Sequence, residues 1–148
     1  MSKSNDCENK FLLLLFNNTA YATIGDATGI RNSTTAGSLY ISLHTSDPGE
    51  SGGPTTNETA YTGYLRVAVA RSGAGFTVTG NSVSPAAVID FPECTASPGS
   101  VITHFGVSTD SIAGGTAVLL YSGTVTPNIT MAVGVIPRLK TTSTITED

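Results

Sequence analysis

The fold is decided by one stretch, Leu39-Tyr40-Ile41-Ser42-Leu43-His44-Thr45-Ser46-Asp47-Pro48-Gly49-Glu50. In its first half, branched apolar residues alternate with Tyr40, Ser42 and His44. Because successive side chains of a strand point to opposite faces, this pattern predicts a half-buried β-strand. The second half predicts a turn, since proline presets φ, the Asp47 side chain accepts hydrogen bonds from nearby backbone N–H groups, and glycine adopts positive φ.

The rest of the chain repeats this pattern of a short alternating strand followed by Gly, Pro or Asn. Further strands are predicted at 61–70, 76–79, 87–91, 101–107, 117–121, 129–133, 135–139 and 141–146. Glycine-containing turns are predicted at Gly80-Asn81 and Gly114-Gly115. Short strands at this spacing predict an all-β fold, a single-domain β-sandwich or jelly-roll-like structure over residues 1–148, with a short N-terminal helix.

The predicted helix lies in an N-terminal arm, residues 1–18. Asn5 can cap its first turn with Glu8 as the reciprocal partner, and Asn17-Asn18 ends it. The apolar side of this helix carries four residues: Phe11, Leu12, Leu15 and Phe16. Because this side is larger than a small sandwich needs to bury, it predicts self-association.

Two glycine-rich stretches without periodicity, 19–37 and 45–60, predict long surface loops, which often carry binding. Tyrosine combines a large rigid area with a polar tip, which suits interfaces, although tyrosines at the edge of a sandwich are an equal alternative. The resulting candidate interaction residues are Phe11, Leu12, Leu15, Phe16, Tyr21, Tyr40, Asp47, Tyr61 and Tyr64.

Composition excludes several classes of partner. Charged residues make up 12% of the chain and the net charge is −4, so electrostatic attraction to nucleic acid or to an anionic membrane is not expected. Cys7 and Cys94 provide no disulfide framework, and we expect two reduced thiols, with a single bridge as the alternative.

Motifs for catalysis are absent from the sequence. A metal site built from His44, Asp47, His104 and Cys94 is an alternative, but two isolated histidines lack metal-ligand spacing, and hydrogen-bonded strand residues are the preferred interpretation. We therefore predict a non-enzymatic protein with no catalytic residues, no metal and no cofactor.

Six segments carry a resemblance to known proteins: Glu8-Asn9-Lys10-Phe11-Leu12-Leu13 near the start, then 39–49, 61–69, 104–107 and 119–123, and the acidic end 144–148. In this order they resemble a family of small virion proteins of tailed bacteriophages that is commonly labelled tail-fibre-like. The first segment is similar to the E-N-K-L-L-D start of that family. The family has no catalytic residues to transfer, and the longer 19–37 segment departs from it.

The resemblance implies a structural protein of the virion, assembled in the host cytoplasm. A capsid decoration (cement) protein that binds and stabilises the major capsid protein is favoured, because the heptads or repeats of a fibre shaft are missing. The alternative is a tail-fibre or tail-tip protein. We expect a homo-oligomer, a trimer, with contacts from the helix and both loops, and no nucleic-acid or membrane partner.

Overall fold

The computed structural model describes residues 2–96, 99–111 and 116–148. Within them the chain forms one helix and nine strands, with the following bounds: α1 (Asn5–Asn17), β1 (Ser38–His44), β2 (Val67–Ala70), β3 (Phe76–Thr79), β4 (Ser82–Pro85), β5 (Ile89–Asp90), β6 (Val101–Ser108), β7 (Leu119–Thr130), β8 (Arg138–Leu139) and β9 (Ile145–Thr146).

The strands form three sheets, with strand orders β2-β1-β6-β7, β3-β4-β9 and β5-β8. The chain divides into two compact units, which we call unit 1 (1–38, 69–88 and 139–148) and unit 2 (39–68 and 89–138). The prediction of an all-β fold with one short helix is confirmed. The face-to-face stacking of a sandwich and the single domain stay predictions.

Several predicted strands have different bounds. The strand expected at 61–70 begins only at Val67, and the strand expected at 87–91 is reduced to β5. The strands expected at 117–121 and 129–133 are parts of one long strand, β7. Strand β4 was not predicted, because Ser82-Val83-Ser84-Pro85 contains a single large apolar residue. The predicted Gly114-Gly115 turn lies outside the described residues.

Unit 2 is built on the antiparallel pairing of β1 with β6 and of β6 with β7. Directly paired residues share a face of the sheet, so Ile41 packs beside Val107 in the apolar core. Where β6 meets β7, the ring of Phe105 covers Gly123, and a Cβ there would lie 2.7 Å from that ring. Any larger residue at position 123 would therefore force the Phe105 ring to move.

The half-buried character predicted for β1 is wrong. Ser42 and His44, expected on a solvent face, are both 0% exposed, so both faces of the strand are covered. The segment 56–59 pairs with the edge of β1 at this end: the Asn57 carbonyl accepts from Thr45 N–H at 2.8 Å, and Thr59 N–H donates to the Leu43 carbonyl at 2.9 Å. On the polar side, the Thr56 carbonyl lies 2.9 Å from His44 Nδ1, so the histidine is hydrogen-bonded to this segment instead of to water.

Unit 1 packs helix α1 against β3 and β4. Leu12 and Phe16 are fully buried, and the Phe16 ring meets Phe76 edge-on with 5.0 Å between ring centroids. Strands β3 and β4 are joined by the predicted two-residue turn, in which Gly80 has a φ of 59°. Positive φ at the first position of such a turn matches the twist of the two strands.

The ends of α1 follow capping rules, but not with the residue predicted. Ser4, rather than Asn5, is the N-cap, and its Oγ accepts a hydrogen bond from Cys7 N–H at 3.3 Å. At the other end Asn18 adopts the left-handed conformation, with a φ of 52°, and its N–H donates to the carbonyl of Leu13. The predicted stop at Asn17-Asn18 is confirmed.

Arg71 supplies the charge that the C-terminal turn of α1 lacks. The last turn contains no basic residue. The Arg71 guanidinium donates to the carbonyl oxygens of Leu14 at 2.8 Å and Leu15 at 2.6 Å, and also to the 19–37 loop at Ser33 Oγ and the Ala36 carbonyl, both at 3.2 Å. A cation at this end satisfies free carbonyl groups and the negative end of the helix dipole.

We expect Arg71→Ala to lower the free energy of unfolding by about 2–3 kcal/mol, because it leaves part-buried carbonyl oxygens without their charged donor. The matched control is Arg31→Ala, at an exposed position of the same unit, which should cost no more than about 0.5 kcal/mol. Urea unfolding followed by circular dichroism measures both. Equal losses for the two variants would show that Arg71 does not hold the helix end.

Candidate interaction surface

The predicted interaction residues fall into two groups. Phe11, Leu12, Leu15, Phe16 and Tyr21 lie in unit 1, and Tyr40, Asp47, Tyr61 and Tyr64 lie in unit 2. Each group is therefore described within its own unit.

On the helix, the predicted apolar side serves mainly the interior of unit 1. Leu12 and Phe16 are fully buried and Leu15 is half-buried, whereas Phe11 is 38% exposed. The exposed ring of Phe11 is thus the part of this side that remains available for contact. The sequence pattern could not separate these residues, because all four are apolar.

Tyr21 lies in a loop that is ordered by its own hydrogen bonds. Its backbone exchanges two hydrogen bonds of 2.9 Å with Ile30, and Lys10 Nζ lies 5.6 Å from the centre of its ring. Between these residues the Asp26 carboxylate accepts from the Thr28 hydroxyl and from the N–H groups of Thr28 and Gly29, and these hydrogen bonds, the hydroxyl first, lower the pKa of Asp26. The loop therefore presents a defined exposed surface.

In unit 2, the hydroxyl groups of Tyr61 and Tyr64 are hydrogen-bonded within the unit, and a role of these residues in contact stays a prediction. Tyr61 is 2% exposed, its hydroxyl donates to the Pro92 carbonyl at 2.8 Å, and burial raises its pKa to about 12. The Tyr64 hydroxyl accepts from Leu43 N–H and donates to Glu58 Oε1 at 2.8 Å. Burial also raises the pKa of Tyr64. Tyr40 is half-buried on β1, and its role in contact stays a prediction.

The Tyr64 hydroxyl belongs to a network centred on a buried ion pair. Arg66 Nε and Nη2 each donate to one oxygen of Glu58, both at 2.7 Å, and the two side chains are only 3% and 11% exposed. The same guanidinium donates to the carbonyl oxygens of Pro54 at 3.0 Å and Asp110 at 3.1 Å. The hydrogen bonds to Glu58 raise the pKa of Arg66. This ion pair fixes the end of the 45–60 loop.

Sequence reasoning missed this pair, although a signal was present. Arg66 interrupts a run of apolar residues in a chain with only seven Lys and Arg residues. A cation in such a position needs a buried acceptor, so a carboxylate near in space could have been expected.

The opposite end of the 45–60 loop forms the predicted turn. Asp47 Oδ1 accepts from Gly49 N–H at 2.9 Å, and Gly49 has a φ of 73°. The Asn57 side chain donates to the Asp47 carbonyl at 3.0 Å, which joins the two halves of the loop. The prediction of a turn here is confirmed, and the Asp47 side chain remains exposed.

This turn forms one wall of a surface cleft of about 300 Å³. The cleft is lined by Asp47, Gly49, Glu50 and Gly52 from the loop and by residues 119–122 of β7. Its lining contains two carboxylates and no basic side chain. Such a cleft repels anionic groups and can accept hydrogen bonds from hydroxyl, amide or ammonium groups.

The alternative metal site does not form. His44 is a hydrogen-bonded strand residue, as preferred from the sequence, and within 2–96, 99–111 and 116–148 no group of three His, Cys, Asp or Glu side chains could hold a metal ion. Cys7 and Cys94 are free thiols. No helix in the described part of the chain is long and apolar enough to cross a membrane.

Comparison with known proteins gives one informative result. The sequence matches a protein-family model described as Podophage GP4 fiber I protein gp80, and the match covers residues 2–146. A search of curated proteins returned no match. The chain is therefore similar to a phage fibre protein along nearly its whole length.

We expect Glu58→Gln to lower the free energy of unfolding by about 3–5 kcal/mol, because it leaves the buried Arg66 guanidinium without a counter-ion. The matched control is Asp90→Asn, which removes an ion pair to Arg138 of similar length, 2.8 Å, but with both side chains more than half exposed. That change should cost less than about 1 kcal/mol. Urea unfolding measures the difference, and a loss below 1 kcal/mol for Glu58→Gln would contradict the importance of the buried pair.

Proposed function

The chain belongs to the family of the podophage GP4 fiber I protein gp80, and from this premise we propose that it is a non-enzymatic structural subunit of a virion fibre. Membership of a phage fibre family makes it a structural component of the virion. The single observation that carries the finer assignment is the extent of the match, which runs from residue 2 to residue 146 under the description of a fibre protein.

The proposal that the protein is not an enzyme is supported by the burial of the serine–histidine pair described in unit 2. Ser42 Oγ lies 2.8 Å from His44 Nε2, a distance that a catalytic pair would also have. Both side chains are 0% exposed, so a substrate has no route to the hydroxyl oxygen in this structure. The pair is better suited to joining β1 to the 45–60 loop, since the other ring nitrogen of His44 is bonded to the Thr56 carbonyl.

For the assembly we propose a homo-oligomer, a trimer, whose contacts use exposed or partly exposed positions in each unit. Phe11 and Tyr21 are the candidates in unit 1, and Asp47 with the exposed part of the 45–60 loop is the candidate in unit 2. Because the chain carries few charges, such contacts should depend weakly on salt concentration.

Capsid decoration, with the major capsid protein as partner, is the second candidate. It is favoured by the absence of heptads and repeats from the sequence, since a fibre shaft usually has one or the other. We rank it below the fibre subunit because the family description names a fibre.

The experiment that separates the two is localisation on the virion. We expect antibodies against this protein to label fibres, and cryo-electron microscopy to show three copies at each labelled fibre. Antibodies against the major capsid protein serve as the control for labelling of the head. Label distributed over the head, together with density on the capsid lattice, would replace the fibre assignment by capsid decoration.

A further inference from the structure

The covered polar face of β1 contains an imidazole whose two nitrogens are both hydrogen-bonded. His44 Nδ1 lies 2.9 Å from the carbonyl oxygen of Thr56, and Nε2 lies 2.8 Å from Ser42 Oγ. Because a carbonyl oxygen can only accept, Nδ1 must carry the proton, and Nε2 then accepts from the Ser42 hydroxyl. The geometry therefore selects a neutral imidazole.

The surroundings leave no room for water to solvate a charge on this ring. His44 and Ser42 are both 0% exposed. Gly106 lies opposite Ser42 on β6, and a Cβ at Gly106 would lie 2.6 Å from Ser42 Oγ and 2.7 Å from His44 Nε2. Any side chain larger than hydrogen would therefore collide with the pair.

The remaining cover is the turn 53–56, which is held at two points. Its Thr56 carbonyl accepts from His44, and its Pro54 carbonyl accepts from Arg66 Nη2 at 3.0 Å. Within the turn, Gly53 N–H donates to Thr56 Oγ1 and Thr56 N–H donates to the Gly53 carbonyl, both at 3.0 Å. The turn is thus a small, separately hydrogen-bonded cover over the imidazole.

A proton added to Nε2 would disturb this arrangement. The new N–H would point at the Ser42 hydroxyl, which would have to stop donating, and a cation would be buried without water. Three groups face the ring: the Glu58 carboxylate favours the charge, while Arg66 and His104 oppose it. Since Glu58 is already paired with Arg66, burial dominates and lowers the pKa of His44 from its usual value of 6.5.

We propose that His44 is an acid-sensitive latch for the turn 53–56. The imidazolium regains water only when the turn moves away from the ring, so protonation and opening are coupled. Arg66 keeps its charge at all these pH values and continues to bind Glu58 and the Pro54 carbonyl. Acid therefore releases the Thr56 end of the turn, while the Pro54 contact and the rest of unit 2 stay in place.

The sign of the effect follows from linkage. The pKa of His44 is lower in the closed state than in the open state, so the closed state keeps its full stability above about pH 6.5 and loses it as the pH falls toward the lowered pKa. Because the open state binds one more proton, the equilibrium constant for opening rises by up to about tenfold for each unit that the pH falls in this window.

The test uses NMR of the full chain, which contains only two histidines. We expect the His44 ring to titrate below 6.5. Amide exchange, corrected for intrinsic rates, should show the opening constants of Gly53 and Thr56 rising up to about tenfold per pH unit below pH 6.5, while Phe76 in unit 1 stays constant. A His44 ring that titrates at or above 6.5, or opening constants independent of pH, would overturn the latch.

Two variants identify the group responsible. His44→Gln keeps a donor and an acceptor but does not titrate, so the pH dependence of the turn should disappear. His104→Gln, at the paired position of β6, should retain it. If His44→Gln does not fold, the titration and exchange of the unmodified chain still decide the question. If His104→Gln abolishes the pH dependence, His104 and not His44 would be the group responsible, and the proposal would be refuted.

Discussion

The buried ion pair between Arg66 and Glu58 is the interaction on which the order of unit 2 depends. One guanidinium binds both oxygens of the carboxylate and also two backbone carbonyl groups, so three segments of chain are joined at one side chain: that of Arg66, the 45–60 loop and the segment that follows β6 at Asp110. The Tyr64 hydroxyl links the same carboxylate to the N–H group of Leu43. Charged residues make up only 12% of the chain, and two of them form this pair inside unit 2. Arg71 has a comparable role in unit 1, where it binds the carbonyl groups at the end of the helix.

The parts of the fold that the sequence predicted well are those with a strong local signal. Alternation predicted β1 and β6 nearly to the residue, and the glycine of Gly80-Asn81 marked a turn that requires positive φ. Strand β4 could not be predicted, because its residues are mostly small and polar and one of its two partners, β9, comes from a distant part of the chain. Local periodicity carries no information about such partners.

The candidate surface was harder to predict for the same reason. Apolar character at Leu12 and Phe16 is equally compatible with a core and with an interface, and only the packing against Phe76 distinguishes them. The polar face of β1 was expected to meet solvent, whereas Ser42 and His44 are fully buried and the Thr56 carbonyl is hydrogen-bonded to the His44 ring. A polar residue can be buried when each of its groups finds a partner, and those partners lie across a loop that has no periodic pattern. The assignment to a fibre family comes from the whole chain and not from any one of these residues.

The central claim is that the loop closes over the polar face of β1 and excludes solvent from it. Modification by diethyl pyrocarbonate, followed by mass spectrometry, tests this claim directly, because the reagent attacks accessible imidazoles and the chain has only two. At pH 7.5 we expect His104, which is partly exposed, to react while the fully buried His44 stays unmodified. In urea-unfolded protein both should react at similar rates. Reaction of His44 as fast as His104 in the folded protein would contradict the closed face.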